Sequence, residues 1–152
     1  MKYTNLGNTD IRVSQICVGG MSFGEVKEGG HQWTLDQEQT QEMLAKALDL
    51  GVNFIDTANV YAGGTSEEYI GKSLKNLNVA RDKVVIASKV YFNEGCLSKE
   101  AITREIEGTL KRLDTDYLDL YQIHRFDYGH PIEETMEALD SLVKAGKVRA
   151  IG

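Results

Sequence analysis

Two hydrophobic rhythms take turns along this chain. Short apolar segments rich in β-branched residues, ICVGG (16–20), VNFID (52–56), KVVIASKV (83–90), YLDLYQIH (117–124) and KVRAIG (147–152), read as strands. Between them, apolar residues recur every three or four positions, as on one face of a helix. Met43, Leu44, Ala47 and Leu48 follow that spacing. Thr34 is the expected cap of this helix, Gln37 completes a capping box, and Gly51 is the C-terminal stop. Thr65 and Glu68 repeat the T-x-x-E spacing ahead of SEEYIGKSLKNL. Ser98 opens a third helix, with Ile102, Ile106, Leu110 and Leu113 on one face. His130-Pro131 starts a fourth, whose expected stripe is Ile132, Met136, Leu139 and Val143 and whose end is Gly146. Strand followed by amphipathic helix, repeated, implies parallel strands joined by right-handed crossovers.

Ahead of the first unit, KYTNL and DIRVS flank Gly7 and Asn8, which predicts a β-hairpin. Two α/β architectures fit the remainder: an open doubly wound sheet and a (β/α)8 TIM barrel. The first strand–helix turn lacks the G-x-G-x-x-G dinucleotide fingerprint, which disfavours the doubly wound sheet. A complete barrel takes about 250 residues. This chain of 152 holds four β/α units and the start of a fifth strand, only half of what a barrel needs, so both architectures stay open on the residues alone.

Composition narrows the partners. The formal net charge is -6 and no run of Lys and Arg occurs, which argues against nucleic acid. No stretch approaches the roughly 18 apolar residues of a membrane span. MKYTNLGNTD lacks the apolar segment of a secretory signal. Cys17 and Cys96 show no CxxC spacing, so they read as two reduced thiols rather than a zinc site or disulfide framework. The expectation is a cytoplasmic protein with no membrane partner and no metal.

In parallel α/β folds the reactive groups gather at the carboxyl ends of the strands. There the sequence places Asp56 after an apolar strand, Tyr61 in the loop behind it, Lys89 after VVIAS and His124 after LYQI. Each has a packing alternative: Asp56 as a turn former, Tyr61 as a loop aromatic, Lys89 as a strand-end lysine with its head in water, His124 as a core histidine. Together they suit proton transfer. A phenol with pKa of about 10 is a weak acid at neutral pH; a neighbouring ammonium favours the phenolate. Asp56 holds Lys89, and His124 donates a hydrogen bond to a carbonyl oxygen or relays the proton. Lys89 alone is compatible with Schiff-base aldolase chemistry, and a non-enzymatic binding subunit is the third reading.

GGMSFGE, NFIDTANVYAGGTSEEYIGKSL, VVIASKV, LKRLDTDYLDLYQIHRFD and PIEETMEALDSLVKAGKVRAIG closely resemble the aldo-keto reductase family from residue 2 to the last residue. The nearest likeness is to bacterial members and to the potassium channel β-subunits. The resemblance implies an NADP(H)-dependent reductase of small-molecule aldehydes and ketones on a (β/α)8 TIM barrel, with this chain as its N-terminal half: the hairpin, four β/α units and the start of strand five. Its catalytic tetrad corresponds to Asp56, Tyr61, Lys89 and His124. Gly20, Met21 and Asp56 correspond to positions against the cofactor. Phe23, Trp33, Tyr91, His124 and Arg125 correspond to substrate-pocket positions. The resemblance also implies that most of the cofactor site lies in a C-terminal half, so that residues 1–152 form a partial domain, ending at the fifth barrel strand, that is weakly active or inactive alone. A half barrel exposes two sheet edges and its interior face, which predicts a homo-oligomer or association with a C-terminal half.

Overall fold

The computed structural model describes residues 1–25 and 31–152. The hairpin forms as β1 (Tyr3–Asn5) and β2 (Arg12–Ser14), antiparallel, with Tyr3 opposite Ser14. Then come β3 (Cys17–Gly19), α1 (Gln37–Asp49), β4 (Phe54–Asp56), α2 (Thr65–Asn76), β5 (Val85–Val90), α3 (Lys99–Leu113), β6 (Leu118–Ile123), α4 (Ile132–Lys144) and β7 (Val148–Ile151). The five strands β3 to β7 make one parallel sheet in chain order. Chain order with helical crossovers is the topology of the first half of a (β/α)8 barrel.

Register sorts the side chains onto two faces. Ala87 pairs with Leu120, Ser88 with Tyr121 and Lys89 with Gln122 across β5 and β6. Alternation therefore sends Ser88 and Tyr121 to one face and Lys89 and Gln122 to the other. The first face meets the helices: Ile55, Ile86 and Tyr121 join Leu44, Ile70 and Ile106 in one buried core. On the other face the hairpin closes the N-terminal end, where Ile11 and Val13 pack on Val85 with Phe54 alongside. Near that end, buried Asp119 of β6 accepts from the Ile86 amide at 2.9 Å, Arg81 at 2.7 Å and Arg149 at 2.8 Å. The polar rim at the opposite end stays open.

Helices α2 and α3 approach closely because Gly71 has no side chain. A Cβ there would lie 2.5 Å from the Leu113 carbonyl oxygen. Ser98 caps α3 as the sequence predicts, its hydroxyl accepting from the Ala101 amide at 3.2 Å. The cap of α1 is two residues later than expected: Asp36, not Thr34, accepts from the Gln39 amide at 2.9 Å, and Gln39 completes the box. Asp36-x-x-Gln39 satisfies the same pattern as Thr34-x-x-Gln37, and a carboxylate is the stronger partner for helix-terminal amides. Gln37 instead reaches across to the Ser73 hydroxyl of α2, 2.9 Å away. Thr65 is also not a cap; it is the first helical residue behind Gly64 and donates back to the Ala62 carbonyl.

Two expected helix faces are corrected. Met43 of α1 is exposed, and the buried positions are Thr40 and Leu44. Helix α4 begins just after Pro131 and buries Thr135, Ala138, Leu139 and Leu142. Ile132, Met136 and Val143 of the predicted stripe are exposed. Only Leu139 belongs to both stripes, since a period of 3.6 residues lets two overlapping faces read as apolar. Among the described residues, β3 and β7 each have one strand neighbour in the sheet, so both edges are free.

Candidate active site

Asp56 is the last residue of β4, Lys89 lies one short of the end of β5, and His124 directly follows β6. Tyr61 begins a short 3₁₀ turn over Tyr61–Gly64 that leads into α2. Parallel pairing brings all four to one rim. The Lys89 Nζ is 2.5 Å from Asp56 Oδ2, 2.9 Å from the Thr57 carbonyl oxygen and 3.5 Å from the Tyr61 hydroxyl. The first two are good hydrogen bonds, while the third is long and acts mainly through charge. The Lys89 side chain is only 13% exposed and that of Asp56 29%, so water screens the group weakly. The imidazole of His124 meets the Tyr61 ring edge-on, with centroids 5.6 Å apart.

Backbone bonds explain why the Tyr61 loop sits there. The Thr57 amide donates to the Ala87 carbonyl and the Asn59 amide to the Lys89 carbonyl, so the chain stays laddered to β5 past the end of β4. Behind it, the Ser66 hydroxyl donates to the Gly20 carbonyl at 2.7 Å and pairs with Thr57 Oγ1 at 2.9 Å. Ala62 adopts the left-handed conformation (φ 48°), which costs a non-glycine residue about 1 kcal/mol or more. Gly24 backs it closely: a Cβ on Gly24 (φ 126°) would lie 2.4 Å from that of Ala62. The Tyr61 turn is thus held from both sides.

His124 is held below its usual pKa, first by desolvation, then by the Lys89 ammonium; Asp56 opposes and Arg125 adds to the lowering. Its imidazole is therefore neutral at neutral pH. The Nδ1 atom is buried with no hydrogen-bond partner among the described residues.

The remaining expected site residues divide. Gly20 is buried at the rim, and Met21 beside it is exposed. Arg125 lies near His124, its guanidinium 5.2 Å above the Phe92 ring. Phe23 is 1% exposed and belongs to the helix-side core, so it does not line an open pocket. Half-exposed Trp33 stacks on His31 rather than on either ring of the tetrad. Tyr91 packs against the core, and its neighbour Phe92 takes the outward place, edge-on to His124 at 5.1 Å. Tyr91 is expected from the family resemblance; β5 ends at Val90, so strand alternation no longer fixes which of Tyr91 and Phe92 faces the rim. Thr57 and Ser66, which fix the loop, carried no sequence signal beyond a small hydroxyl.

The sequence model of the aldo/keto reductase family matches residues 15–152. Aldo-keto reductase YhdN of Bacillus subtilis is 42% identical over 158 residues, covering all of this chain and 46% of the relative. Aldo-keto reductase dtxS3 of Metarhizium robertsii is 40% identical over 178 residues, covering 99% of this chain and 48% of the relative. A thermostable aldo-keto reductase, Tm1743, solved with the inhibitor epalrestat, superposes with a TM-score of 0.84 at 39% identity. The holo form of AKR11C1 from Bacillus halodurans gives 0.84 at 34% identity. This chain is covered completely in both superpositions and spans 53% and 50% of those structures. The chain belongs to the aldo/keto reductase family and spans about half the length of these relatives. Its sheet is the N-terminal half of their barrel.

Proposed function

We propose that this chain carries the proton-transfer half of an NADPH-dependent reductase of aldehydes and ketones, with residues 1–152 as a partial reductase domain. The observation that supports it is the ammonium of Lys89, 2.5 Å from the Asp56 carboxylate and 3.5 Å from the Tyr61 phenol. NADPH, when bound, supplies the hydride that reaches the carbonyl carbon. Tyr61 gives its proton to the carbonyl oxygen, and Lys89 stabilises the negative charge left on the phenol. Asp56 holds the ammonium in place. A buried Nδ1 without a partner costs less as a lone pair than as an N–H, which assigns the His124 proton to Nε2. That nitrogen then donates to the carbonyl oxygen and orients it.

The residues present fit the nicotinamide end of such a cofactor. A Cβ on Gly20 would lie 3.0 Å from the Asp56 carbonyl and 3.1 Å from Ser66 Oγ, so only glycine lets this turn lie flat on the end of β4 beside exposed Met21. Arg125 and Phe92 are the groups here that suit a polar and an aromatic part of a substrate. Free Cys17 and Cys96 suit a reducing, cytoplasmic setting. Among the described residues no helix is long and apolar enough to cross a membrane. The Schiff-base reading is weakened because Lys89 already spends its donors on Asp56 and Thr57.

The free edges of β3 and β7 and the exposed Ile132, Met136 and Val143 favour association, with a second copy or a C-terminal half barrel covering them. The test is NADPH consumption and alcohol formation with 4-nitrobenzaldehyde, comparing the chain alone with the chain joined to the C-terminal half of a relative. The joined form is expected to be active and the chain alone weak. A joined, folded form that consumes no NADPH removes the proposal.

A further inference from the structure

Beneath the rim, on the helix side of the sheet, Glu67 is fully buried with two polar partners. Ser88 donates its hydroxyl to Oε1 at 2.5 Å, and Arg112 donates Nε to Oε2 at 2.6 Å. Ser88 immediately precedes Lys89 on β5. Glu67 stands in the first turn of α2, three residues past Gly64, where the Tyr61 turn ends. Arg112 also lies along that turn, since a Cβ on Gly64 would be 3.0 Å from its Cδ. A second bond, Arg112 to Thr109 Oγ1 at 3.3 Å, holds the guanidinium on α3.

We infer that Glu67 is a positioning residue: by clamping Ser88 and Arg112 in one buried carboxylate, it sets how far the Lys89 ammonium stands from the Tyr61 phenol. This rests on the reading of Tyr61 as the proton donor. One side chain joins the strand that carries the ammonium to the turn that carries the phenol, from the face opposite to both. The site is dry and apolar enough for such bonds to be stiff. Tyr121, which pairs with Ser88 across the strands, has its phenol buried without a partner among the described residues. Burial pushes that phenol up, and the charges of Glu67 and Glu105 add to the push. An unpaired Glu67 would carry a fully buried charge with nowhere to turn except by moving the elements that hold it, whereas Arg112 is partly exposed.

The clamp is tested through His124, whose titration senses the Lys89 charge whether or not the protein turns over substrate. The His124 imidazole is followed by NMR against pH in the wild-type chain, Ser88→Ala, Glu67→Gln and Lys89→Met, with thermal melts to confirm folding. Lys89→Met removes the ammonium and sets the full upward shift of the midpoint. Ser88→Ala, the gentler change, and Glu67→Gln are expected to move the midpoint upward by part of that shift. In the joined, active form the same two changes are expected to lower kcat by ~10- to ~100-fold with KM for the aldehyde unchanged. Folded variants whose His124 midpoint matches wild type overturn the inference, however much their melting temperature falls. A shifted midpoint in a protein that reduces no carbonyl keeps the clamp and removes the reductase reading instead.

Discussion

Replacing Lys89 with Met removes a positive charge that stands 3.5 Å from the Tyr61 oxygen while nearly preserving side-chain volume. Two unit charges at that distance interact by about 1 kcal/mol in water and about 5 kcal/mol at an effective dielectric constant of about 20. A lysine side chain 13% exposed belongs nearer the second value. The Asp56 carboxylate, 2.5 Å from the same ammonium, cancels part of the field felt by the phenol. A net loss of about 3 kcal/mol follows, which is roughly a hundredfold in rate. The loss falls on kcat, because the phenol acquires charge only as its proton leaves. The assay is NADPH oxidation with 4-nitrobenzaldehyde in the joined form, as a function of aldehyde concentration. KM is expected to stay within about twofold, since Lys89 makes its contacts with Asp56, Thr57 and Tyr61. A kcat within about threefold of wild type, in a variant that melts normally, would refute the electrostatic role of Lys89.

Further consequences are open to measurement. Gly71→Ala puts a methyl 2.5 Å from the Leu113 carbonyl oxygen and forces α2 from α3; it should cost about 1 to 3 kcal/mol by urea denaturation, and an unchanged midpoint would contradict the close approach. His124 has a folded-state pKa below its unfolded value. As pH falls the unfolded chain takes up that proton first, so stability declines from about pH 6.5 downward until the folded imidazole also protonates. His124→Gln should flatten that part of the stability curve, and superimposable curves would show that the imidazole is not desolvated. Sedimentation of the chain alone should show association rather than a soluble monomer of 16.9 kDa, because two sheet edges stand free. A stable monomer would mean that these edges are tolerated.

That Asp56, Tyr61, Lys89 and His124 would meet was legible because packing does not account for their residue types. An apolar strand has no packing reason to end in Asp56, Lys89 or His124, and a parallel fold makes the ends meet. Tyr91 was named by family likeness, and Phe92 was hidden because it lies past Val90, where β5 stops and strand alternation no longer tells which side chain faces the rim. Phe23 and Trp33 were drawn toward the pocket by family likeness, yet one fills the core and the other stacks on His31. The buried face of α4 was misread because Thr135 and Ala138 are poor markers of burial beside Ile132 and Met136. Ile132 and Met136 are exposed on the side of α4 turned away from its packing partners. Glu67 was least visible of all: a glutamate in a helix's first turn normally reads as a solvated, dipole-matched charge. Only its meeting with Ser88 and Arg112, from two other elements, reveals it as interior.

The account stands or falls on the Tyr61 hydroxyl. In the joined form, Tyr61→Phe deletes one oxygen and leaves the Lys89–Asp56 pair, 2.5 Å apart, untouched. The rate of alcohol formation from 4-nitrobenzaldehyde should then fall by about a hundredfold or more, with the protein still folded. Undiminished alcohol formation would show that some other group delivers the proton.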